Sequence, residues 1–399
     1  MEKHYNYYTI MRVGYARIDK ILLGFLLIVS FSCTNKTYVN VNSKYNNQTD
    51  TTIISPSSFI EKTINVGDHI TNNPLSSQII NFNNCTNLVL LDENKIYQFN
   101  WDTGMPTDTI VLKDMGNLNN YSGFNYCSED SLILYNYSQR TIYISNAEGR
   151  IISKLDLNSQ IKGKIDIEAI NGTRPEIVGD KLILSGGKFG DTHDEKMKSH
   201  IVSVLCQFKP KMSISPLIEY PQIYKEGYWG GVYMNSIYHA IDNNGFVYYS
   251  FPIDHNVYRY DLKTGKTTSF YMGSRYTSEI KSCSDDFYEH FLDKDKRIDY
   301  YVKQHSYSYI LYDKFRNVII RIAEHPLHNY SGNSMFSKPF SVIIADVSGN
   351  ILSESTIFTD CKDINLTNMH IVGEGLAINV KDKKNENLIK YRCYNINLK

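Results

Sequence analysis

The sequence predicts an all-β fold: a six-bladed β-propeller of four-stranded antiparallel meanders, its ring closed by an N-terminal strand, with a short helical insertion between blades 4 and 5. Three observations predict it. Six segments share one plan of an alternating strand, a polar turn with Asp or Asn and often Gly, and a second strand. Each segment is preceded by a further apolar strand. The units recur roughly every 45 to 60 residues, apart from one longer gap, which is the length of a propeller blade. A row of immunoglobulin-like sandwiches would need about 100 residues per unit.

In chain order, TNLVLLD leads into NKIYQFNWDTGMPTDTIVL from Asn94, and DSLILYNY into RTIYISNAEGRIISKLDL from Arg140. DKLILSGG leads into SHIVSVLCQFKPKMSISPL from Ser199, and GFVYYSFP into HNVYRYDLKTGKTTSFYM from His255. NVIIRIAE precedes FSVIIADVSGNILSES from Phe340, and GLAINVKD precedes LIKYRCYNINLK from Leu388. Alternation such as Ile142 and Ile144 argues for strands, and NAEG, LKTG and VSGN carry the residues tight hairpins require. The last unit stops after its third strand, so an N-terminal segment must supply the outer one. The candidates are SSQIINFN (76–83) and the earlier SSFIEKTINVG (57–67). Between the fourth and fifth units, residues 275–306 depart from the pattern. Phe287, Phe291, Ile298, Tyr301 and Val302 recur there at near-helical spacing, which predicts one or two short helices on a ring face.

The chain carries 42 Lys and Arg against 42 Asp and Glu, so no net field draws it to nucleic acid. Its 32 Tyr against 2 Trp fit β-structure, where Tyr is a favoured residue.

The apolar run Ile21–Phe31 is eleven residues long, whereas a membrane-spanning helix needs about twenty. Arg12, Arg17 and Lys20 precede it and small Ser32 stands before Cys33, the layout of an export signal. Met11 is the expected start, since it gives the leader a more typical length. The sequence VSFSC resembles the lipobox of bacterial lipoproteins, which implies diacylglycerol on Cys33. Several acyl chains on one residue anchor stably where a single chain is marginal. The expected division is a signal peptide over 1–32, a polar flexible tether over 33–58 and the propeller over 59–399. By the same resemblance, Thr34 in place of the Asp that retains enterobacterial lipoproteins at the inner membrane, with no acidic cluster of the kind surface-exported lipoproteins of Bacteroidetes carry, implies the outer membrane facing the periplasm.

Together with the lipobox and the meanders, the segments at 228–266 and 305–327 resemble a family of uncharacterised lipoproteins from gut and oral Bacteroidetes. The first begins YWGGVYMNSIYHAIDNNG, and the second reads HSYSYILYDKFRNVIIRIAEHPL. That family is described as a domain of unknown function with six-bladed propeller character. The resemblance implies an architecture and no activity.

Two places could bind a ligand. YDKFRNVIIRIAEHP gathers Asp313, Arg316, Arg321, Glu324 and His325, and the two Arg could hold a carboxylate or phosphate through forked hydrogen bonds. The alternative is an Asp–Arg pair that pins a turn. Tyr228 and Trp229, beside Gly230 and Gly231, could form a sugar or peptide platform, or could simply pack between blades. Asp191, His193, Asp194 and Glu195 have ligand chemistry but no metal-binding spacing, and read as a solvated hairpin tip. Beyond Cys33, six cysteines allow 15 pairings, and no zinc spacing occurs. No nucleophile elbow, phosphate loop, dinucleotide fingerprint or HExxH is present, so no catalytic residue, cofactor or metal is assigned.

The expected function is a membrane-anchored periplasmic module that binds or scaffolds an unknown protein, peptide or glycan partner. The alternative is a propeller hydrolase or lyase acting on peptide or glycan, with a metal or a carboxylate pair in the channel. Ionisable residues from three or more blades meeting at the channel with shifted pKa values would favour the enzyme.

Overall fold

The computed structural model describes residues 37–45, 53–67, 76–82, 85–113, 122–128, 131–157, 172–179, 181–186, 201–207, 213–283, 293–327 and 338–398, with positions 70, 72, 74 and 167. Six four-stranded antiparallel sheets follow one another along the chain. Blade 1 is Ser76–Phe82, Cys85–Asp92, Lys95–Asn100 and Pro106–Val111; blade 2 is Gly123–Ser128, Ser131–Asn136, Thr141–Ser145 and Ile151–Asp156. Blade 3 is Glu176–Val178, Lys181–Ser185, Ile201–Gln207 and Ser213–Glu219; blade 4 is Tyr238–Ile241, Phe246–Ser250, Asn256–Asp261 and Thr267–Tyr271. Blade 5 is Ser306–Asp313, Val318–Glu324, Phe340–Asp346 and Ile351–Glu354. Blade 6 is Ile364–Ile371, Gly375–Val380 and Leu388–Asn395, completed by Ile60–Asn65 from the other end of the chain. The six sheets form a six-bladed β-propeller.

The alternation of each second strand explains how the ring holds together. Successive side chains point to opposite faces of a sheet, and here both faces meet a neighbouring blade. Leu88 and Leu90 pack with Ala377 and Tyr391 of blade 6, whereas Val89 and Leu91 pack with Phe124 and Leu132 of blade 2. Ile133 and Tyr135 meet Leu182 and Leu184 at the junction of blades 2 and 3. Ile319 and Ala323 join the cluster shared with blade 4, while Ile320 and Ile322 face Leu376 and Ile378 of blade 6. A strand buried on both faces reads as a continuous apolar run, which is why TNLVLLD and NVIIRIAE stand out in the sequence. The outer hairpins turn as their residues require: Asn146 Oδ1 accepts from Arg150 N and Asp346 Oδ1 from Asn350 N, both at 2.9 Å. Gly149 and Gly349 take positive φ in those turns, 76° and 95°.

The expected N-terminal closure is present, and the details around it differ from the expectation. Of the two candidates for closure, the earlier segment supplies the strand, paired from Ile60 with Cys393 to Asn65 with Leu388. Ser76–Phe82 instead opens blade 1. The innermost strands of blades 3 and 4, Glu176–Val178 and Tyr238–Ile241, lay outside the repeated plan because they are short and weakly patterned.

The stretch expected as a tether is packed in part. Val39–Val41 pairs antiparallel with Glu279–Lys281, and buried Asn42 donates through Nδ2 to Ser274 O at 2.9 Å and Thr277 O at 2.7 Å. Further on, Ile54 is buried between blades 5 and 6. The insertion between blades 4 and 5 therefore begins with a strand. Its helix is Lys294–Lys303, capped by Asp293 Oδ1, which accepts from Asp295 N at 2.9 Å and Lys296 N at 3.3 Å. Ile298 and Val302 are its buried face, and Ser306 already belongs to blade 5.

Phe287, Phe291, Cys33 and the Asp191–Glu195 cluster lie outside the described residues. The cysteines Cys85, Cys127, Cys206, Cys283, Cys361 and Cys393 are all free thiols. No helix among the described residues is long and apolar enough to cross a membrane.

Candidate functional site

The six residues proposed from sequence as ligand contacts do not share a pocket. Tyr228 and Trp229 are buried. Tyr228 accepts Cys283 N–H at its carbonyl, at 2.7 Å, forming an isolated bridge to the insertion. Trp229 Nε1 donates to Ile223 O at 3.2 Å, and its ring lies edge-on to Tyr38 with centroids 6.0 Å apart. These aromatics seat the insertion and the N-terminal strand; they are not a platform.

Asp313 and Arg316 occupy the first hairpin turn of blade 5. Arg316 Nη1 pairs with Asp313 Oδ2 at 2.9 Å, Nε donates to Ile396 O and Nη2 to Gly373 O, each at 2.7 Å. The turn-pinning alternative is the observed one, and the pin also fastens blade 5 to blade 6. His325 follows the strand Val318–Glu324 at its other end, roughly 20 Å away for seven extended residues. Its Nε2 meets Ser341 Oγ at 2.9 Å and its Nδ1 meets His305 Nδ1 at 3.3 Å. Ser341 Oγ–H in turn donates to Glu354 Oε1 at 2.6 Å. Burial first, then His305 and Lys338, pushes the His325 imidazole down to about 3.

Arg321 is fully buried between blades 5 and 4. Nε donates to Ser250 Oγ at 2.9 Å. Nη1 donates to His255 O at 3.3 Å and Met272 O at 3.0 Å, and Nη2 to Phe251 O at 3.1 Å and Asp254 O at 2.7 Å. Its guanidinium carbon lies 3.8 Å from the Tyr307 ring centroid. All five donors of a guanidinium are thus used, and none is left for a ligand. Burial lowers its pKa to about 10, so it stays charged at neutral pH.

The axis of the ring presents different chemistry, built from the innermost strands. At the junction of blades 1 and 2, Gln78 Nε2 donates to Asn125 Oδ1 at 3.2 Å and Gln78 Oε1 accepts from Tyr126 N at 2.7 Å. Asn125 Nδ2 continues the belt to Pro175 O at 2.8 Å and Glu176 Oε2 at 3.1 Å. At the junction of blades 6 and 1, Ser77 Oγ donates to Asn368 Oδ1 at 2.6 Å and meets His370 Nε2 at 3.1 Å. Between blades 4 and 5 the rings of Tyr238 and Tyr309 lie 4.7 Å apart.

The segment leading into blade 3 crosses to blade 4, where Gly172 O accepts from His239 N at 3.0 Å. A Cβ at Gly172 would fall 2.6 Å from the Tyr309 ring and 2.8 Å from the Tyr238 ring, so only glycine brings the chain this close. Thr173 and Arg174 are carried to the axis by that approach. Arg174 Nε donates to Glu176 Oε1 at 3.0 Å. Among the described residues no acceptor engages its Nη nitrogens.

His239 is 94% buried (6% exposed), and neither ring nitrogen has a partner in hydrogen-bond geometry, although the Arg174 carbonyl lies nearby. The Oγ1 of fully buried Thr173 is likewise unpartnered. Burial drives the His239 pKa down to about 4, with Glu176 raising and Arg174 lowering it. His370 is pushed down to about 3 by burial and then by Arg174, which places the guanidinium within electrostatic reach of blades 4 and 6. The charge of Arg174, on the segment leading into blade 3, is thus felt by histidines of blades 4 and 6. A neutral imidazole whose conjugate acid has a pKa near 4 is a weak proton acceptor, so at neutral pH these histidines serve as hydrogen-bonding groups. No group of three or more His, Cys, Asp or Glu among the described residues is arranged to hold a metal ion. None of these axial residues sits in a sequence motif; the available signal was a lone histidine in SIYHAI and a charged pair in TRPE.

The sequence of residues 55–356 matches a family model described as a domain of unknown function, DUF4221. The chain belongs to the DUF4221 family. The match takes in the closing strand and blades 1 to 5, and the three C-terminal strands of blade 6 follow it. The DUF4221 chain is similar to the crystal structure of a family member from Bacteroides vulgatus, with 18% identity and a TM-score of 0.70 over 92% of this chain and 99% of that one. It is also similar to a putative exported protein from Bacteroides fragilis, at 14% identity and a TM-score of 0.52 over 88% and 98% of the two chains. At these identities the likeness is one of fold. No curated protein matches the chain.

Proposed function

We propose that this DUF4221 protein is a membrane-anchored binding module of the cell envelope. Lipid on Cys33 holds it at the outer membrane facing the periplasm, and its ligand sits at the axis of the ring against Arg174 and His239. The observation that carries the reading is the set of uncommitted polar groups on the segment after Gly172 and on the strand it crosses to: both nitrogens of His239, Oγ1 of Thr173 and the Nη groups of Arg174. Buried polar groups in a folded protein are normally paired, so a cluster without partners marks a place completed by something else. The anchor is supported by the basic, apolar and small residues that lead to Cys33.

The hydrolase or lyase reading is weaker on chemical grounds. The axial imidazoles do have shifted pKa values, but burial lowers them well below neutral pH, which makes each a weak proton acceptor there. The chain of contacts from His325 through Ser341 to Glu354 runs through a fully buried hydroxyl that no substrate could reach.

Native mass spectrometry of the full chain extracted from its own envelope tests both halves. The expected result is an acylated Cys33 peptide, absent in Cys33→Ser, and a small-molecule adduct that Arg174→Met and His239→Phe lose. An unmodified Cys33 refutes the anchor, and the same adduct in parent and variants refutes the axial site.

A further inference from the structure

We infer that the axial site takes a ligand through its carboxylate group. The inference rests on the reading of the axis as a ligand site and names the chemistry that site selects. Hydrogen-bond accounting carries it. Glu176, the carboxylate at this point of the axis, is already engaged at both oxygens: Oε1 accepts from Arg174 Nε at 3.0 Å and Oε2 from Asn125 Nδ2 at 3.1 Å. The Asn125 carbonyl oxygen accepts from Gln78 Nε2 at 3.2 Å. Each of these oxygens keeps a second lone pair, but the side-chain groups left with no hydrogen bond at all are chiefly donors.

Arg174 keeps the outer edge of its guanidinium, neutral His239 has one N–H to give, and Thr173 has a hydroxyl. A sugar hydroxyl presents a single oxygen and cannot take two parallel hydrogen bonds from the guanidinium edge. A carboxylate only accepts, and the planar fork of an arginine fits it with two parallel hydrogen bonds. Glu176 occupies the Nε side of the guanidinium, which leaves the Nη edge to a second carboxylate on the far side. Gly172 sets the position of this donor group, since the Tyr309 and Tyr238 rings leave no room for a side chain there.

The test compares succinate with succinamide, which has the same carbon skeleton and no charge. Each is titrated calorimetrically into the full-length protein in detergent, and into Arg174→Met, Arg174→Lys and His239→Phe variants checked for native circular dichroism. The expected result is saturable succinate binding, weakened at least about tenfold in Arg174→Met and partly kept in Arg174→Lys, with no response to succinamide. Equal binding of succinamide, or succinate binding unchanged in Arg174→Met, overturns the assignment. Failure of both probes while the native adduct is present overturns the carboxylate and spares the axial site. Failure of both probes with no adduct overturns the two together.

Discussion

Arg321 and His239 are both polar side chains buried near the junctions of blade 4, and they could hardly be treated more differently. Arg321 has five donors and five acceptors, drawn from one hydroxyl and four carbonyls of residues 251–272. His239 has two ring nitrogens and no partner in hydrogen-bond geometry for either, with only the Arg174 carbonyl nearby. Burial by itself therefore does not mark a site in this protein. A saturated polar group is architecture, here a cationic pin that gathers the connections of blade 4 onto blade 5. An unsaturated one is an opening for chemistry from outside the chain.

The contrast is open to attack by mutation, and Arg321 should give the largest effect. Arg321→Met strands four carbonyls and a hydroxyl, and is expected to cost about 3–5 kcal/mol in urea unfolding. Arg321→Lys keeps the charge but offers three donors in place of five, and should recover only part of that loss. A loss under about 1 kcal/mol would break the comparison, because Arg321 would then not be a pin. Arg316→Met, which removes the weaker pin between blades 5 and 6, is expected to cost about 2 kcal/mol in the same measurement.

Acid should act on the buried histidines, of which His239 alone lacks a hydrogen-bond partner while His255, His325 and His370 have theirs. His239 and His255 are pushed down to about 4, and His325 and His370 to about 3, in each case chiefly by burial. In the unfolded chain each histidine takes up its proton near pH 6.5. Between about pH 6 and 4 the unfolded state thus binds more protons than the fold, and stability falls as pH falls, by up to about 1.4 kcal/mol per unit for each histidine. His239→Phe should flatten the measured slope by about one proton. At pH 7 the same variant should change stability by no more than about 1 kcal/mol, since it deletes a polar group that has no partner to lose. Arg174→Met should be the mildest, within about 0.5 kcal/mol, and should still abolish the bound adduct.

The same physics decided what could be read in advance. The second strands were legible because burial on two faces writes an apolar run, as in Leu88–Leu91 and Ile319–Ile322. The innermost strands of blades 3 and 4 were not: Glu176–Val178 has three residues, and Tyr238–Ile241 carries its histidine among small and aromatic neighbours. Asp313 and Arg316 could be read as a turn pin because their partners lie within three residues of each other. Arg321 read as a ligand contact because an arginine inside VIIRIAE looks functional, while its partners are main-chain carbonyls some fifty to seventy residues away. Val39–Val41 read as tether because three residues are too few to show a period, and its pairing partner lies in the insertion. The axial donors depend on Gly172 fitting against two tyrosines of other blades, a contact no local pattern encodes.

The paired strands at the start of the chain also set how the molecule would respond to a pull. Tension applied upstream of Thr37 first loads the three-residue pairing of Val39–Val41 with Glu279–Lys281 and the two hydrogen bonds of Asn42. The six-residue strand that closes the ring, Ile60–Asn65, lies further along the chain and is loaded only after that short pairing has yielded. The N-terminal stitch would thus act as a strain relief of the kind fitted to a cable: a pull from that end is spent on an expendable joint before it reaches the strand that closes the propeller.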